Sequence, residues 1–197
     1  LRGDTMKLRF FSKIIILTLI LSNIINIFAF AEETSSNTSK SKVIYLTFDD
    51  GPARKVTTDI LDILREEDVN ATFFLIGEQI KRMHEEGHSL GLHSMTHKKG
   101  YLYCSNDHFL KEMLETQELI NSVVGIKTNI LRFPFGCNNN SYKLTESMVN
   151  LLHENNLKIY DWNVDSGDGA NPNSDPSRLI RNSKSDKDNI ILLMHCA

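Results

Sequence analysis

From Val43 onward, short apolar runs alternate with longer stretches in which apolar residues recur at helical spacing. This alternation constrains the fold most, because it is typical of a mostly parallel sheet whose strands are joined by crossover helices. The predicted strands are 43–48, 71–76, 89–92, 130–133, 157–163 and 189–194. The predicted helices are 56–67, 107–124, 145–155 and 176–183. Functional side chains are expected just after the strands, since ligands of open α/β sheets bind at the carboxyl ends of the strands.

The chain has 197 residues, of which 41% are hydrophobic and 24% charged, as in one globular domain with its own core. Four of the 22 basic residues and one of the 25 acidic residues precede Glu32, so the remainder carries a formal charge of −6. No nucleic-acid partner is expected, because phosphate binding needs a basic surface. The three cysteines, Cys104, Cys137 and Cys196, lack zinc-knuckle spacing, and the sequence leaves open whether two of them pair.

The N-terminus has the composition of a secretory signal peptide. A basic stretch at 6–13 precedes an almost wholly apolar run at 14–30, and residues 29–31 have the small-x-small form of a cleavage site. Cleavage after Ala31 would release a secreted or cell-surface protein. An uncleaved membrane anchor is the alternative, since the apolar run is about long enough to span a bilayer.

The chain is thus predicted to have three parts. Residues 1–31 comprise a few upstream residues and the signal peptide or anchor, and residues 32–42 form a polar spacer without periodicity. Residues 43–197 form the folded domain, with no internal repeat.

The first predicted strand delivers two adjacent carboxylates into a turn, in the sequence Thr-Phe-Asp-Asp-Gly-Pro at 47–52. Because side chains alternate across a strand and the turn then releases the chain, Asp49 and Asp50 can point to different tasks. One can bind a metal while the other takes a proton. The alternative is an acidic turn that caps the next helix.

A histidine pair follows the third predicted strand. His93 and His97 are four residues apart, which would place them on one face of a helical turn, close enough to bind one ion. Two imidazoles with the carboxylate of Asp50 would make a three-ligand site with room for water, as in catalytic zinc sites.

Further polar side chains follow the later strands. Arg132 could hold a carboxylate by a bidentate contact and so keep it oriented, although a surface arginine before a turn is the alternative. Asp161, Asp165 and Asp168 lie within eight residues, and some of them should cap the loop. His195 ends a buried-type strand, where an acid on its other nitrogen would make it a general acid.

These strand ends, taken in order, resemble the motif series of the polysaccharide deacetylases, carbohydrate esterase family 4. The resemblance spans 43–196, and the segments 47–52 and 93–97 match the first two family motifs in full. It implies a deformed (β/α) barrel, here with an apparently truncated C-terminus, and hydrolysis of N-acetyl groups on a glycan. Asp49 would be the general base, oriented by Arg132. His195 would be the general acid, with Asp168 tuning it.

The resemblance also implies a metal site and a groove. The metal ligands would be Asp50, His93 and His97. This donor set suits zinc best, with cobalt or nickel possible. The implied groove residues are Pro134, Phe135, Gly136 and Leu193.

The chain departs from the family pattern in three places. Gly169 stands where the family usually has tryptophan, the second crossover is shortened to 78–86, and the chain ends soon after His195. A degenerate glycan-binding protein therefore remains an alternative, as does, more remotely, a protein whose acids and histidines are only structural. The expected substrate is peptidoglycan N-acetylglucosamine, with chitin oligomers and acetylated xylan as alternatives. The oligomeric state is not indicated.

We expect this polypeptide to unfold or aggregate more readily than a longer relative. The crossover is short, and a chain that ends after a buried-type strand would leave a sheet edge open. Thermal unfolding followed by circular dichroism tests this. A cooperative, reversible melt at about 45–65 °C, the usual range for mesophile domains, would contradict it.

Overall fold

Seven parallel strands form one sheet in the computed structural model, which describes residues 41–76, 80–140, 142–171 and 173–196. The strands are β1 (Val43–Asp49), β2 (Thr72–Leu75), β3 (Ser89–Leu92), β4 (Ile130–Leu131), β5 (Lys158–Ile159), β6 (Val164–Asp165) and β7 (Asn189–His195). Their order across the sheet is β5-β4-β3-β2-β1-β7-β6. The sheet curls into a half-barrel, which confirms the predicted α/β class and deformed barrel.

Helices connect most of these strands. They are α1 (Arg54–Glu66), α2 (Ile80–Glu85), α3 (Lys99–Leu102), α4 (Asn106–Val124), α5 (Glu146–Glu154) and α6 (Pro176–Ser183). The four predicted long helices agree with α1, α4, α5 and α6 within two residues. The short crossover expected at 78–86 corresponds to α2, although residues 77–79 lie outside the description.

The polar ends of two helices explain their boundaries. The Ser105 hydroxyl accepts a hydrogen bond from the His108 N–H at the start of α4, and Gly125 ends that helix in a left-handed conformation (φ 72°). The Thr145 side chain caps α5 by accepting from the Met148 N–H. The boundaries of both helices are therefore encoded locally.

The predicted strand at 157–163 is too long, and the strand that follows it was not predicted. The chain pairs with β4 only at Lys158 and Ile159, leaves the sheet, and rejoins it on the far side at Val164, beside β7. The mixed apolar and polar residues of 157–163 do not reveal where the pairing stops, so the prediction extended β5 and missed β6.

The core lies between the sheet and its helices. Phe73 of β2 is fully buried and stacks on Phe48 of β1, with ring centroids 5.2 Å apart. A second stack joins Phe109 of α4 to Phe133, just after β4, at 4.2 Å. The second stack ties α4 to the segment that carries Arg132, so the core fixes the elements that surround the strand ends.

The sheet has open edges, as expected, but the last strand is not one of them. β7 pairs with β1 along seven residues, from Val43 opposite Asn189 to Asp49 opposite His195, and with β6 on its other side. The sheet instead ends in the two-residue strands β5 and β6. Short edge strands offer few free backbone groups to another chain.

The predicted signal peptide and nearly all of the spacer fall on residues 1–40, outside the described ranges. Within those ranges, no helix is both long and apolar enough to cross a bilayer. The three cysteines are all free thiols: Cys104 is exposed, Cys137 is half-buried and Cys196 is buried.

The buried His88 should make the stability of the fold depend on pH. Its buried Nδ1 accepts a hydrogen bond from the Ala71 N–H at 3.3 Å, and burial lowers the pKa of His88 below its ordinary value. The unfolded chain therefore takes up a proton at higher pH than the folded one. We expect the stability contributed by this group to be present above about pH 6.5 and lost as pH falls toward the lowered pKa.

Urea unfolding of the wild type and His88→Asn between pH 7.5 and 5 measures this contribution. The stability of the variant should fall less steeply with pH than that of the wild type. Substitution of the exposed His153 on α5 serves as the control and should leave the wild-type slope unchanged. Parallel slopes for the wild type and His88→Asn would contradict the prediction.

Candidate active site

The end of β1 is held in place by the end of β7. The Cys196 N–H donates to the Asp49 carbonyl at 3.0 Å, and the Cys196 thiol lies behind Gly51. A Cβ on Gly51 would lie within 2.2 Å of that sulfur, so only glycine fits there. Asp50, between Asp49 and Gly51, has a left-handed backbone conformation with φ 70°. The turn therefore sends the Asp49 and Asp50 side chains in different directions.

The prediction that His93 and His97 share one face of a helical turn is wrong. Residues 93–98 are an irregular loop in which Ser94 (φ 77°) and His97 (φ 53°) have left-handed backbone conformations. Such conformations cost on the order of 1–3 kcal/mol each in residues other than glycine. The loop is held by contacts to Glu112 of α4, which the local sequence could not indicate.

The loop nevertheless brings both imidazoles to Asp50. The Oδ1 atom of Asp50 lies 3.4 Å from Nε2 of His93 and 3.2 Å from Nε2 of His97. One ligand atom from each residue lies within 4.8 Å of the others. Asp50 Oδ1 is buried and accepts no hydrogen bond from the described residues. An unsatisfied buried carboxylate oxygen facing two imidazole nitrogens fits a divalent metal ion.

The tautomer of His93 also fits a ligand. Its Nδ1 lies 3.0 Å from the Arg132 carbonyl oxygen, which can only accept, so Nδ1 carries the hydrogen and Nε2 presents a lone pair. A backbone carbonyl on the distal nitrogen is the usual support of a metal-binding histidine.

The local electrostatics favour the ligand forms of Asp50 and His97. Burial alone would raise the pKa of Asp50, but the adjacent His93, with His97 and His195 nearby, brings it below its ordinary value. Burial lowers the pKa of His97, against the opposing effect of the Asp50 carboxylate. Around neutral pH, Asp50 is therefore a carboxylate and His97 a neutral imidazole.

Asp49 lies beside this cluster and is held by Arg132. Its Oδ1 accepts from the Arg132 guanidinium at 2.8 Å, in a single hydrogen bond instead of the expected bidentate contact, and its Oδ2 lies 3.6 Å from His93 Nε2. Arg132 is fully buried, donates also to Thr47 Oγ1 and the Tyr160 carbonyl, and lies over the Phe74 ring. The alternative of a surface arginine is therefore excluded. Asp49 is fixed in a single orientation.

Asp168 and His195 form a second pair. Nδ1 of His195 donates to Asp168 Oδ1 at 2.8 Å, and the His195 backbone N–H donates to Oδ2 at 2.7 Å. The hydrogen bond that His195 donates to Asp168 raises the pKa of His195 against the effect of burial. Burial would raise the pKa of Asp168, but its bonds to His195 and Ser166 lower it. The pair thus favours imidazolium beside carboxylate.

The backbone of Gly169 lies against the His195 ring. A Cβ at this position would be 2.5 Å from the ring carbon Cε1. The residue that departs from the family pattern is therefore also the one that leaves space for the imidazole. The sequence indicated only the missing tryptophan wall.

The predicted catalytic and metal-binding side chains line one cavity of about 640 Å³. Arg132 is the exception and lies beneath them. Of the four groove residues, Phe135 and Leu193 line it, whereas Pro134 and Gly136 are buried outside its wall. Phe135 packs on His97 with ring centroids 4.6 Å apart.

Four further residues line the cavity but were not predicted from the sequence to belong to the site: Val56, Trp162, Asp165 and Ala170. Trp162 is the single tryptophan of the chain and ends a predicted strand, a signal that could have found it. Nothing in the sequence singled out Val56 on α1. The prediction that some acids cap the loop is confirmed by Asp165, which accepts from the Gly167 N–H, whereas Asp161 accepts from the distant Cys137 N–H.

Comparison with known proteins places the chain in a family. A family model described as polysaccharide deacetylase matches residues 36–151. A peptidoglycan-N-acetylglucosamine deacetylase of Bacillus cereus is 41% identical over 139 residues, covering 67% of this chain and 49% of its own length. A chitooligosaccharide deacetylase of Bradyrhizobium is 34% identical over 145 residues, covering 70% and 63%. The chain thus spans about half to two thirds of the length of these relatives.

Solved structures agree. The crystal structure of a polysaccharide deacetylase from Bacillus cereus has a TM-score of 0.70 at 36% identity, covering 79% of each chain. The family-model match ends before Asp168 and His195, so the pairing of those two residues is an independent observation of the structure. This chain belongs to the polysaccharide deacetylase family, carbohydrate esterase family 4.

Proposed function

We propose that this protein hydrolyses N-acetyl groups on a cell-wall glycan, with peptidoglycan N-acetylglucosamine as the favoured substrate, and releases acetate. One observation carries the proposal. The groups proposed to bind a metal and to move protons converge on one cavity from four separate strand ends. They are two histidines and one acid for the metal, a second acid held by an arginine, and a third histidine paired with another acid. Together they supply each group that amide hydrolysis requires.

Asp50, His93 and His97 would hold the metal, and zinc is the proposed ion because imidazole ligands with one carboxylate suit it. A bound divalent ion polarises the amide carbonyl and lowers the pKa of a water molecule. Cobalt and nickel fit the same donor set.

The protein groups then move two protons. Asp49, held as a fixed acceptor by Arg132, takes a proton from the attacking water, whose oxygen bonds to the carbonyl carbon. As the carbon–nitrogen bond breaks, His195 donates a proton from Nε2 to the leaving nitrogen, because its Nδ1 is engaged by Asp168. The products are acetate and the free amino sugar.

The choice of glycan rests on the relatives. One is named for peptidoglycan N-acetylglucosamine and another for chitooligosaccharide. The apolar N-terminal segment, read as a signal peptide or anchor, favours a secreted or surface location and hence the wall polymer. We propose no nucleic-acid partner, because the cavity is lined by the acids Asp49, Asp50, Asp165 and Asp168. The alternative is a metal-binding protein that holds glycan without turnover, favoured by the altered wall at Gly169.

Acetate release from N-acetylated peptidoglycan and from chitooligosaccharide tests the proposal. We expect zinc-dependent release by the wild type and a loss of about 10²–10⁴-fold in Asp49→Ala, the usual contribution of a general base. Asp59→Ala, on the exposed face of α1, is the matched control and should retain full activity. Zinc binding without acetate release from either glycan would favour the non-catalytic alternative.

The pH profile of kcat/KM tests the pairing of His195 with Asp168. Because Asp168 raises the pKa of His195, the acid form survives to higher pH, and activity should fall on the basic side as His195 loses its proton. In Asp168→Asn the hydrogen bond to a carboxylate is lost, so the basic limb should move to lower pH.

Asp175→Asn is the control, since Asp175 only caps α6 and asparagine can also cap. An unmoved basic limb in Asp168→Asn would refute the pairing.

A further inference from the structure

Glu112 is a buried acid that the proposed reaction does not use. It lies in the middle of α4 with 2% of its surface exposed, and its side chain reaches the loop between the two histidine ligands. Its Oε2 accepts from the backbone N–H groups of Met95 and Thr96, each at 3.0 Å. Its Oε1 accepts from the Thr96 hydroxyl at 3.0 Å.

These contacts account for the carboxyl group of Glu112. Within the described ranges, no lysine, arginine or histidine forms an ion pair with it. Leaving a buried carboxyl group without partners is costly. The loop donors therefore satisfy Glu112, and Glu112 in turn satisfies two backbone N–H groups that belong to no helix or strand.

The loop needs such support because its backbone path is unusual. Ser94 and His97 both have positive φ, and the His97 N–H bonds to the Ser94 hydroxyl at 3.0 Å. In the interior of a helix or in a paired strand, the N–H groups of Met95 and Thr96 would have backbone carbonyl partners. Glu112 replaces those partners and fixes the two peptide groups between the ligands.

Glu112 itself is rigidly placed. Its neighbours on α4, Phe109, Met113 and Thr116, are fully buried. The position of its carboxyl group is thus set by the core and not by the loop.

We propose that Glu112 is a positioning residue for the metal site, setting the separation of His93 and His97 and hence their ability to bind one ion with Asp50. The inference rests on the proposed metal site. Residues that orient metal ligands without touching the metal typically contribute 10–100-fold to affinity.

Zinc affinity, measured by competition with a chromophoric chelator, tests the role without using activity. Glu112→Ala should raise the zinc Kd by about 10-fold or more. Glu112→Gln keeps an acceptor for the two N–H groups and should remain within about threefold of the wild type. Glu115→Ala removes an exposed acid one turn along the same helix and should leave Kd unchanged.

The visible spectrum of the cobalt-substituted protein gives a second readout, because band positions and intensities follow ligand geometry. They should change in Glu112→Ala and be restored in Glu112→Gln. If Glu112→Ala does not fold, Thr96→Val decides the matter. It removes the hydroxyl that donates to Glu112 and also accepts from the Lys98 N–H, and it should weaken zinc binding by a smaller factor.

A lower melting temperature in Glu112→Ala, with zinc Kd and cobalt spectrum unchanged well below it, would show a merely structural role and overturn the inference. In that case the metal site would still stand. Failure of the wild type to bind zinc or cobalt would overturn both the metal site and the role of Glu112.

Discussion

The parallel pairing of β1 with β7 is the constraint on which the site depends. Seven residue pairs align the first and last strands so that Asp49 is opposite His195. The two groups proposed to take and give a proton are thus neighbours in one sheet, although 145 residues separate them along the chain. A shift of one residue in this register would turn one of them to the opposite face of the sheet.

Arg132 connects the remaining strand ends to that pair. It is fully buried, and its guanidinium reaches Asp49 and Thr47 of β1 and the Tyr160 carbonyl, while its own carbonyl accepts from His93. A buried guanidinium without partners would be strongly destabilising, so these contacts are as much a requirement of folding as of catalysis. Orientation of the base and support of a metal ligand therefore share one residue.

The sequence revealed the site residues far better than the local structure that holds them. Asp50, His93 and His195 could be placed at strand ends from the sequence, because an apolar run followed by a polar turn is a local signal. The conformation between His93 and His97 was predicted as a helical turn and is an irregular loop, because Glu112 supplies its hydrogen bonds from another element. The placement of β5 and β6 at opposite edges of the sheet likewise depends on partners distant in sequence.

By itself, the sequence determined which residues stand at the strand ends, the boundaries of the long helices, and the family, since each is written in short contiguous motifs. Only the tertiary structure decided that the last strand is interior, that Gly169 leaves space for the His195 ring, and that Val56 and Trp162 line the cavity. The physical reason is that apolar periodicity and turn chemistry act over a few residues. Strand order, close approach and cavity walls depend instead on contacts between segments far apart in the chain.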